Sequence, residues 1–427
     1  MEQLYKIFKS CSGVSTDSRH LPKNCLFFAL KGERFDGNKY ALAALESGAA
    51  YAAVSDTSLP QNERLIQVDD TLKALQNLAR HHRRQFDIPF LAITGSNGKT
   101  TTKELVSSVL SAKYKTHFTQ GNFNNHIGVP LTLLAMSADT EIAVIEMGAN
   151  HVGEIDFLCR IAEPTHGLIT NIGKAHLEGF GGVEGIKQGK SELYRFLQET
   201  KGTVFINQNE EHLWDLLPPQ TEFIAYATGD NIDFNLQQES ADPFLNVILK
   251  NEDEKYHIET KLIGAYNFNN ILTAVTVANY FDVKNESIKA TLETYTPTNN
   301  RSQFLQKNKN HYILDAYNAN PTSMSIALKN FAELDTHLPK IAILGDMLEL
   351  GAESTTEHQN IVDLAAKSGL GQTLLVGEEF SKINLPENMR HFENVAALKT
   401  WFDVQHFSGV YFLVKGSRGI RLEQLLA

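Results

Sequence analysis

The apolar run Phe90-Leu91-Ala92-Ile93-Thr94 leads directly into Gly95-Ser96-Asn97-Gly98-Lys99-Thr100-Thr101, and a helical stretch follows from Lys103 to Leu110. No other feature restricts the fold of the chain as strongly. Glycines let backbone N–H groups curl around phosphate oxygens, Lys99 would neutralise the terminal phosphates, and Thr100 offers a hydroxyl to Mg²⁺. The spacing is a shortened one, because the usual G-x-x-x-x-G-K-[ST] pattern needs a glycine where Ile93 stands. Out of context, G-x-x-G-K-T is also a surface turn. Between a buried strand and a helix it reads as a phosphate loop, with Gly95, Ser96, Asn97, Gly98, Lys99, Thr100 and Thr101 as nucleotide contacts. Delivering such a loop calls for a parallel sheet covered by helices on both faces.

The alternation of strands and helices extends over most of the 427 residues, a length that suggests about three domains. Residues 1–84 are mixed, with short apolar runs at Leu26–Leu30 and Tyr51–Val54 and a helical pattern from Thr71 to Arg84. A boundary is placed near 85, before Pro89. Residues 85–299 carry strands at Phe90–Thr94, Ile142–Ile145, Gly167–Thr170 and Thr203–Ile206. A weakly alternating polar stretch, Thr228–Tyr256, reads as an antiparallel insertion. Residues 300–427 follow a Thr-, Pro- and Asn-rich segment, with strands expected at Tyr312–Leu314, Ile341–Leu344, Thr373–Val376 and Val410–Val414.

Composition narrows the class. Fifty acidic against 39 basic side chains give a net charge of −11, which argues against a general nucleic-acid surface. No apolar run reaches the ~20 residues that cross a bilayer, and Met1–Ser12 has no apolar core of a secretory signal. Cys11, Cys25 and Cys159 show no C-x-x-C spacing, so a disulfide framework is not expected and the cytoplasm is the simplest location.

Three further residues carry chemistry. Glu146 ends the run Ile142-Ala143-Val144-Ile145, where a carboxylate beside a phosphate loop can hold Mg²⁺; alone it also reads as a strand-end surface glutamate. A helix from Val183 to Leu197 would align Ile186, Lys190, Leu193, Tyr194 and Leu197 on one face. A lysine inside an apolar stripe either snorkels to solvent or is functional. Burial would lower its pKa and leave an amine able to take up CO₂ as a carbamate. His176, in Asn171-Ile172-Gly173-Lys174-Ala175-His176, follows a strand and precedes a glycine-rich loop; alone it reads as a loop residue. The remaining histidines form no H-x-x-x-H or H-E-x-x-H pair.

Thr94 to Thr101 resembles the ATP loop of the Mur ligases, which build the peptide stem of bacterial cell-wall precursors. The likeness extends over the whole chain in the family's order: Thr119–Pro130, Glu146-Met147-Gly148-Ala149, Tyr317-Asn318-Ala319-Asn320-Pro321, Gly345-Asp346-Met347-Leu348-Glu349-Leu350-Gly351 and Lys415-Gly416-Ser417-Arg418. The last three resemble the branch that adds a dipeptide. This resemblance implies a small mixed α/β UDP-binding domain, a central P-loop parallel-sheet ATPase domain and a C-terminal Rossmann-like α/β domain. It implies an ATP-dependent ligase that activates a carboxylate as an acyl phosphate and joins D-alanyl-D-alanine to UDP-N-acetylmuramoyl-tripeptide. Whether the third residue of that tripeptide is diaminopimelate or lysine stays open. Catalytic roles fall to Lys99, Lys190 and His176. Two Mg²⁺ ions are implied, held by Thr100, Glu146, His176 and carbamylated Lys190.

By the same resemblance Asn267 and Asn270, in Gly264-Ala265-Tyr266-Asn267-Phe268-Asn269-Asn270, bond adenine. Tyr266 stands where the family has histidine, and the asparagines also suit a helix N-cap. Arg301, preceded by Asn300 rather than the usual glycine, and Asp315 reach the ATP phosphates and ribose. Ser18, Arg19, Lys31 and Arg34 fall in segments like the family's UDP site. Asn122, Asn124 and Asn125 serve the sugar-nucleotide side, and Asn320, Lys415, Ser417 and Arg418 the incoming dipeptide. His358 matches the family but reads as a helix residue. The substrates are anionic, so Mg²⁺ and the local positives Lys31, Arg34, Lys99, Arg301 and Lys415 must draw them in. No partner chain is required, so a monomer is expected. The alternatives are the ligase adding the third amino acid, whose Asp-Asn-Pro-Arg motif is absent here, folylpolyglutamate synthetase, which lacks the first domain, and a P-loop switch module.

Overall fold

The computed structural model describes residues 1–33, 35–228, 235–251, 254–298 and 300–426. Short apolar runs near the N-terminus build a parallel four-stranded sheet in the order Val14–Ser15, Leu26–Phe28, Tyr51–Val54, Leu65–Gln67. The helix Thr71–Arg83 starts at an Asp70 side chain that accepts the Lys73 N–H. It buries Leu75, Leu78 and Ala79. From the same helix, Gln76 Nε2 donates to the His126 carbonyl at 2.9 Å and the Arg83 guanidinium binds the carbonyls of Ala162 and Glu163. The first domain is thereby tied to the second.

The central sheet is parallel and six-stranded, in the order Glu222–Tyr226, Thr203–Asn207, His166–Ile169, Phe90–Thr94, Ile142–Glu146, Thr116–Phe118. All five residues of Phe90–Thr94 are buried. The chain visits strands on one side of Phe90–Thr94 before crossing to the other, and such a switch leaves a crevice at the C-terminal strand ends. The insertion is a three-stranded antiparallel sheet, Asn235–Ala241, Phe244–Asn251 and Glu254–Ile263, which continues past the expected Tyr256. Its residues Leu236, Val247 and Ile258 share a core with Val106 and Ile271.

One expectation needs correction. The stretch Val183–Leu197 is not one helix: Val183–Lys190 and Glu192–Thr200 meet at Ser191. The Ser191 hydroxyl donates to the Gln188 carbonyl at 3.0 Å, a local bond that competes with the helical ladder. The apolar stripe survives the break, since Ile186, Lys190, Leu193, Tyr194 and Leu197 are all buried.

In the C-terminal domain the six-stranded order is Gln303–Lys307, Asn310–Asp315, Tyr411–Lys415, Lys340–Gly345, Gln372–Val376, Met389–Phe392, antiparallel only at the first pair. Phe412 lies at the middle of this sheet, fully buried, with ring centroids 4.9 Å from Tyr312, 5.2 Å from Phe402 and 5.3 Å from Phe407. Phe412→Ala should destabilise the domain by about 3–5 kcal/mol. The check is a lower urea midpoint at an unchanged m-value; an unchanged midpoint would contradict this packing.

Candidate active site

The phosphate loop leaves the buried strand Phe90–Thr94 with Gly95 at φ +139° and Gly98 at φ +78°. A Cβ at Gly95 would lie 2.1 Å from Thr170 Oγ1, and one at Gly98 would lie 2.7 Å from Asn270 Oδ1, so neither position has room for a side chain. The neighbouring strand end braces the loop. Ser96 N donates to the Asn171 carbonyl, Asn97 N to Asn171 Oδ1, and Ser96 Oγ to the Gly173 carbonyl, each at 3.0 Å. Lys99 opens the helix Lys99–Ser111 and folds its Nζ onto the carbonyls of Gly95 and Ser96 at 2.7 and 3.1 Å. Burial, with Arg301 adding repulsion and Glu146 opposing, pushes the Lys99 ammonium down to about 8.

This loop floors a cleft of about 500 Å³ between the central and C-terminal sheets. Ser96, Asn97, Gly98, Lys99, Thr100 and Thr101 line it, and Gly95 does not. Glu146, at the end of its strand, is 1% exposed, so the surface-cap reading fails. Its Oε1 accepts from Thr100 Oγ1 at 3.0 Å and from Asn124 Nδ2 at 2.7 Å. Its Oε2 is buried with no partner among the described residues. An orphaned, buried carboxylate oxygen beside a threonine hydroxyl and a phosphate loop fits a bound divalent cation.

Lys190 does not snorkel. It is 1% exposed, its Nζ donates among the described residues only to the Ala149 carbonyl at 3.2 Å, and the Phe180 ring centroid lies 5.2 Å away. An ammonium carries three donors, so burial without more acceptors drives its pKa well below the usual lysine range. Lys99 pushes the same way, while Glu154 and Glu192 oppose. Lys190 does not itself line the cleft, but Ala149 and Glu154 beside it do. His176 lines it too, with its Nδ1 bonded to Glu349. Among the described residues no group of three or more His, Cys, Asp or Glu forms a metal site, so a second site here needs a ligand outside those types.

Asn267 and Asn270 reach the cleft, yet their amides are engaged: Asn267 Nδ2 donates to the Ile263 carbonyl and Asn270 Nδ2 to Asn267 Oδ1, both at 2.8 Å. Asn267 makes no side-chain capping bond, against the N-cap reading. Tyr266, in place of histidine, donates or accepts with Ser302 Oγ at 2.6 Å. The Arg301 guanidinium lies 3.8 Å from the Tyr317 ring centroid, and its Nε is buried without a partner. Asp315 also lines the cleft, paired with Lys415. The positive charge expected at Lys415 is therefore already neutralised. Asn122, Asn124, Asn125 and Asn320 line the cleft as well. Asn320 Nδ2 donates to Asn97 Oδ1 at 2.7 Å while its own carbonyl oxygen caps the helix Pro321–Glu333.

Other expected residues lie elsewhere. Ser417 is buried, accepting from Leu348 N at 3.0 Å, and Arg418 is exposed; neither lines the cleft. His358 is fully buried and accepts the Met347 N–H at 3.0 Å. Ser18, Arg19 and Lys31 are away from the cleft lining, Arg19 being bidentate to Asp17 at 2.9 and 2.8 Å. Arg34 falls outside the described residues. Sequence reading passed over Glu154 and Glu192, which face Lys190. Glu192 is buried, accepting from Gly153 N and Asp156 N, whereas Glu154 is half-exposed and accepts from Asn150 N and His151 N.

A shortened phosphate loop, a buried carboxylate with a free oxygen and a cleft closed by a second α/β sheet define a P-loop nucleotide-dependent enzyme of the α/β class. Residues 10–83, 93–278 and 300–418 match the family models described as Mur ligase family, catalytic domain; Mur ligase middle domain; and Mur ligase, glutamate ligase domain. The chain belongs to the Mur ligase family. It is 36% identical over 426 residues to the UDP-N-acetylmuramoyl-tripeptide--D-alanyl-D-alanine ligase of Bacillus subtilis, covering 97% of this chain and 92% of that protein. The Escherichia coli protein of the same name is 34% identical over 436 residues, with the same coverage. The crystal structure of MurF from Acinetobacter baumannii superposes with a TM-score of 0.86 at 32% identity, covering 100% of this chain and 97% of that one.

Proposed function

We propose that the chain is an ATP-dependent amide-bond ligase that adds D-alanyl-D-alanine to UDP-N-acetylmuramoyl-tripeptide, forming the pentapeptide precursor of peptidoglycan. The observation that carries this is the 36% identity over nearly the whole chain to a ligase of that name. The cleft supports the chemistry. A carboxylate does not acylate an amine at neutral pH until one of its oxygens becomes a good leaving group. Attack of the tripeptide carboxylate on the γ-phosphorus of ATP breaks the β–γ bond, releases ADP and gives an acyl phosphate. The dipeptide amine then forms the amide, expels phosphate and loses a proton. Positioning and charge neutralisation are the protein's share of this reaction.

Lys99 leaves its own loop carbonyls for the phosphate oxygens, and the loop N–H groups hold them in place. Thr100 and Glu146 would hold one Mg²⁺. His176 and Lys190, carbamylated at its neutral amine, would hold a second. Bound there, the ions neutralise phosphate charge. Asn267 and Asn270 serve the adenine end, and Arg301 and Asp315 the phosphates and ribose. Ser18, Arg19, Lys31 and Arg34 belong to the UDP side, and Asn122, Asn124 and Asn125 serve the sugar-nucleotide side. Asn320 and Lys415 take the dipeptide side, with Ser417 and Arg418 behind them. The domains are divided at 84/85 and 299/300. No helix among the described residues is long and apolar enough to cross a membrane. A monomer working in the cytoplasm is part of the same proposal.

Phosphate release with ATP, Mg²⁺ and UDP-N-acetylmuramoyl-tripeptide should appear only when D-alanyl-D-alanine is added, and EDTA should abolish it. Release that ignores the dipeptide, or survives EDTA, would overturn the reading.

A further inference from the structure

The segment Gly345-Asp346-Met347-Leu348-Glu349-Leu350-Gly351 contributes no residue to the cleft lining, yet four bonds anchor it within the C-terminal domain. The Asp346 carboxylate accepts the N–H groups of Glu379 and Phe380 at 2.9 and 3.1 Å. Met347 N donates to His358 Nε2, and Leu348 N to Ser417 Oγ, both at 3.0 Å. Glu349 follows with φ +64°, in the left-handed region that non-glycine residues rarely occupy. Its carboxylate meets Nδ1 of His176 in the central domain, and His176 is itself left-handed at φ +55°. The backbone of the two turns also engages: Glu178 N donates to the Glu349 carbonyl at 3.3 Å. A Cβ at Gly351 would lie 3.2 Å from Glu178 Cβ. Two uncommon backbone conformations on different domains thus bring one carboxylate to one imidazole nitrogen.

A carboxylate can only accept, so Nδ1 carries a proton, and in the neutral imidazole the lone pair is then on Nε2. A histidine in that state, held by an outer carboxylate, is the form that ligates cations. We propose that Glu349 is a positioning residue which the C-terminal domain supplies to the central one, fixing the tautomer and ring orientation of His176 so that it becomes a competent ligand only when the two domains are docked. This rests on the reading of His176 as a cation ligand. Other contacts dock the same domains without touching His176: Lys174 Nζ reaches Glu357 at 2.6 Å, and Lys174 N donates to Thr322 Oγ1 at 3.1 Å. They separate docking from orientation.

The test is Mn²⁺ binding to the full chain with a non-hydrolysable ATP analogue, followed by electron paramagnetic resonance. Glu349→Ala should raise the Mn²⁺ concentration that half-fills the second site by roughly 10- to 100-fold. Glu349→Asp should recover part of this loss, and Glu357→Gln should leave the value unchanged. Glu349→Ala binding Mn²⁺ like the wild type while His176→Ala does not would overturn the proposal and leave the ligand reading standing. If His176→Ala also binds normally, both fall. An equal loss in Glu357→Gln would reduce Glu349 to a docking contact and overturn its orienting role.

Discussion

Replacing Lys190 by methionine or alanine should lower kcat by on the order of 10²–10³, the scale seen when one charge-stabilising group is removed from a site. The amine sits in the stripe of Ile186, Leu193 and Tyr194 with one carbonyl partner. A permanent ammonium there would lack acceptors for its remaining donors. A neutral amine beside Glu154 and the cleft is a nucleophile for CO₂, and the resulting carbamate would provide an anionic oxygen. Methionine retains the packing of the stem, so it separates loss of chemistry from loss of fold. Acetate or another short carboxylic acid should partly restore turnover of Lys190→Ala by entering the vacated space as the missing anion. Wild-type turnover in Lys190→Met would refute the carbamate role.

Lys99→Met should cost about 10³ in kcat/KM for ATP, because the phosphoryl group develops its charge where the loop holds one lysine. Lys99→Arg should not rescue it, since the planar guanidinium is larger than the point charge that the loop carbonyls of Gly95 and Ser96 now hold. Steady-state kinetics at saturating tripeptide and dipeptide give the value. A change of less than tenfold, on the scale of a surface charge, would contradict the assigned role.

Much of this architecture was visible along the chain because inner strands of a doubly covered sheet are continuous apolar runs. Phe90–Thr94 and Tyr411–Lys415 are buried at every position and legible for that reason. In the two six-stranded sheets the strands that sequence reading missed, Thr116–Phe118, Glu222–Tyr226, Gln303–Lys307 and Met389–Phe392, are the outermost ones. None is buried throughout: Thr116–Phe118 is half-buried at every position and the other three each include exposed residues, so no run marks them. Lys190 could be singled out because its neighbours at helical spacing are apolar, even though the helix breaks at Ser191.

Contacts between segments far apart in the chain left less trace. Glu349 and His176 are separated by 173 positions, and nothing local to either signals the other. Lys415 looked like a free cation because its partner Asp315 lies 100 positions away. Ser417 looked like a ligand contact, whereas its hydroxyl accepts the Leu348 N–H from a loop far away in the chain. Such pairings depend on which strands and loops the fold sets side by side, which composition and periodicity do not encode.

The most direct measurement is a competition. UDP-N-acetylmuramoyl-tripeptide, ATP and Mg²⁺ are incubated with equal concentrations of D-alanyl-D-alanine, D-alanine, L-lysine, diaminopimelate and glutamate, and the product is weighed by mass spectrometry. The account predicts one product, heavier than the tripeptide substrate by the dipeptide less one water. A product carrying a single amino acid, or no product beside hydrolysed ATP, would contradict it.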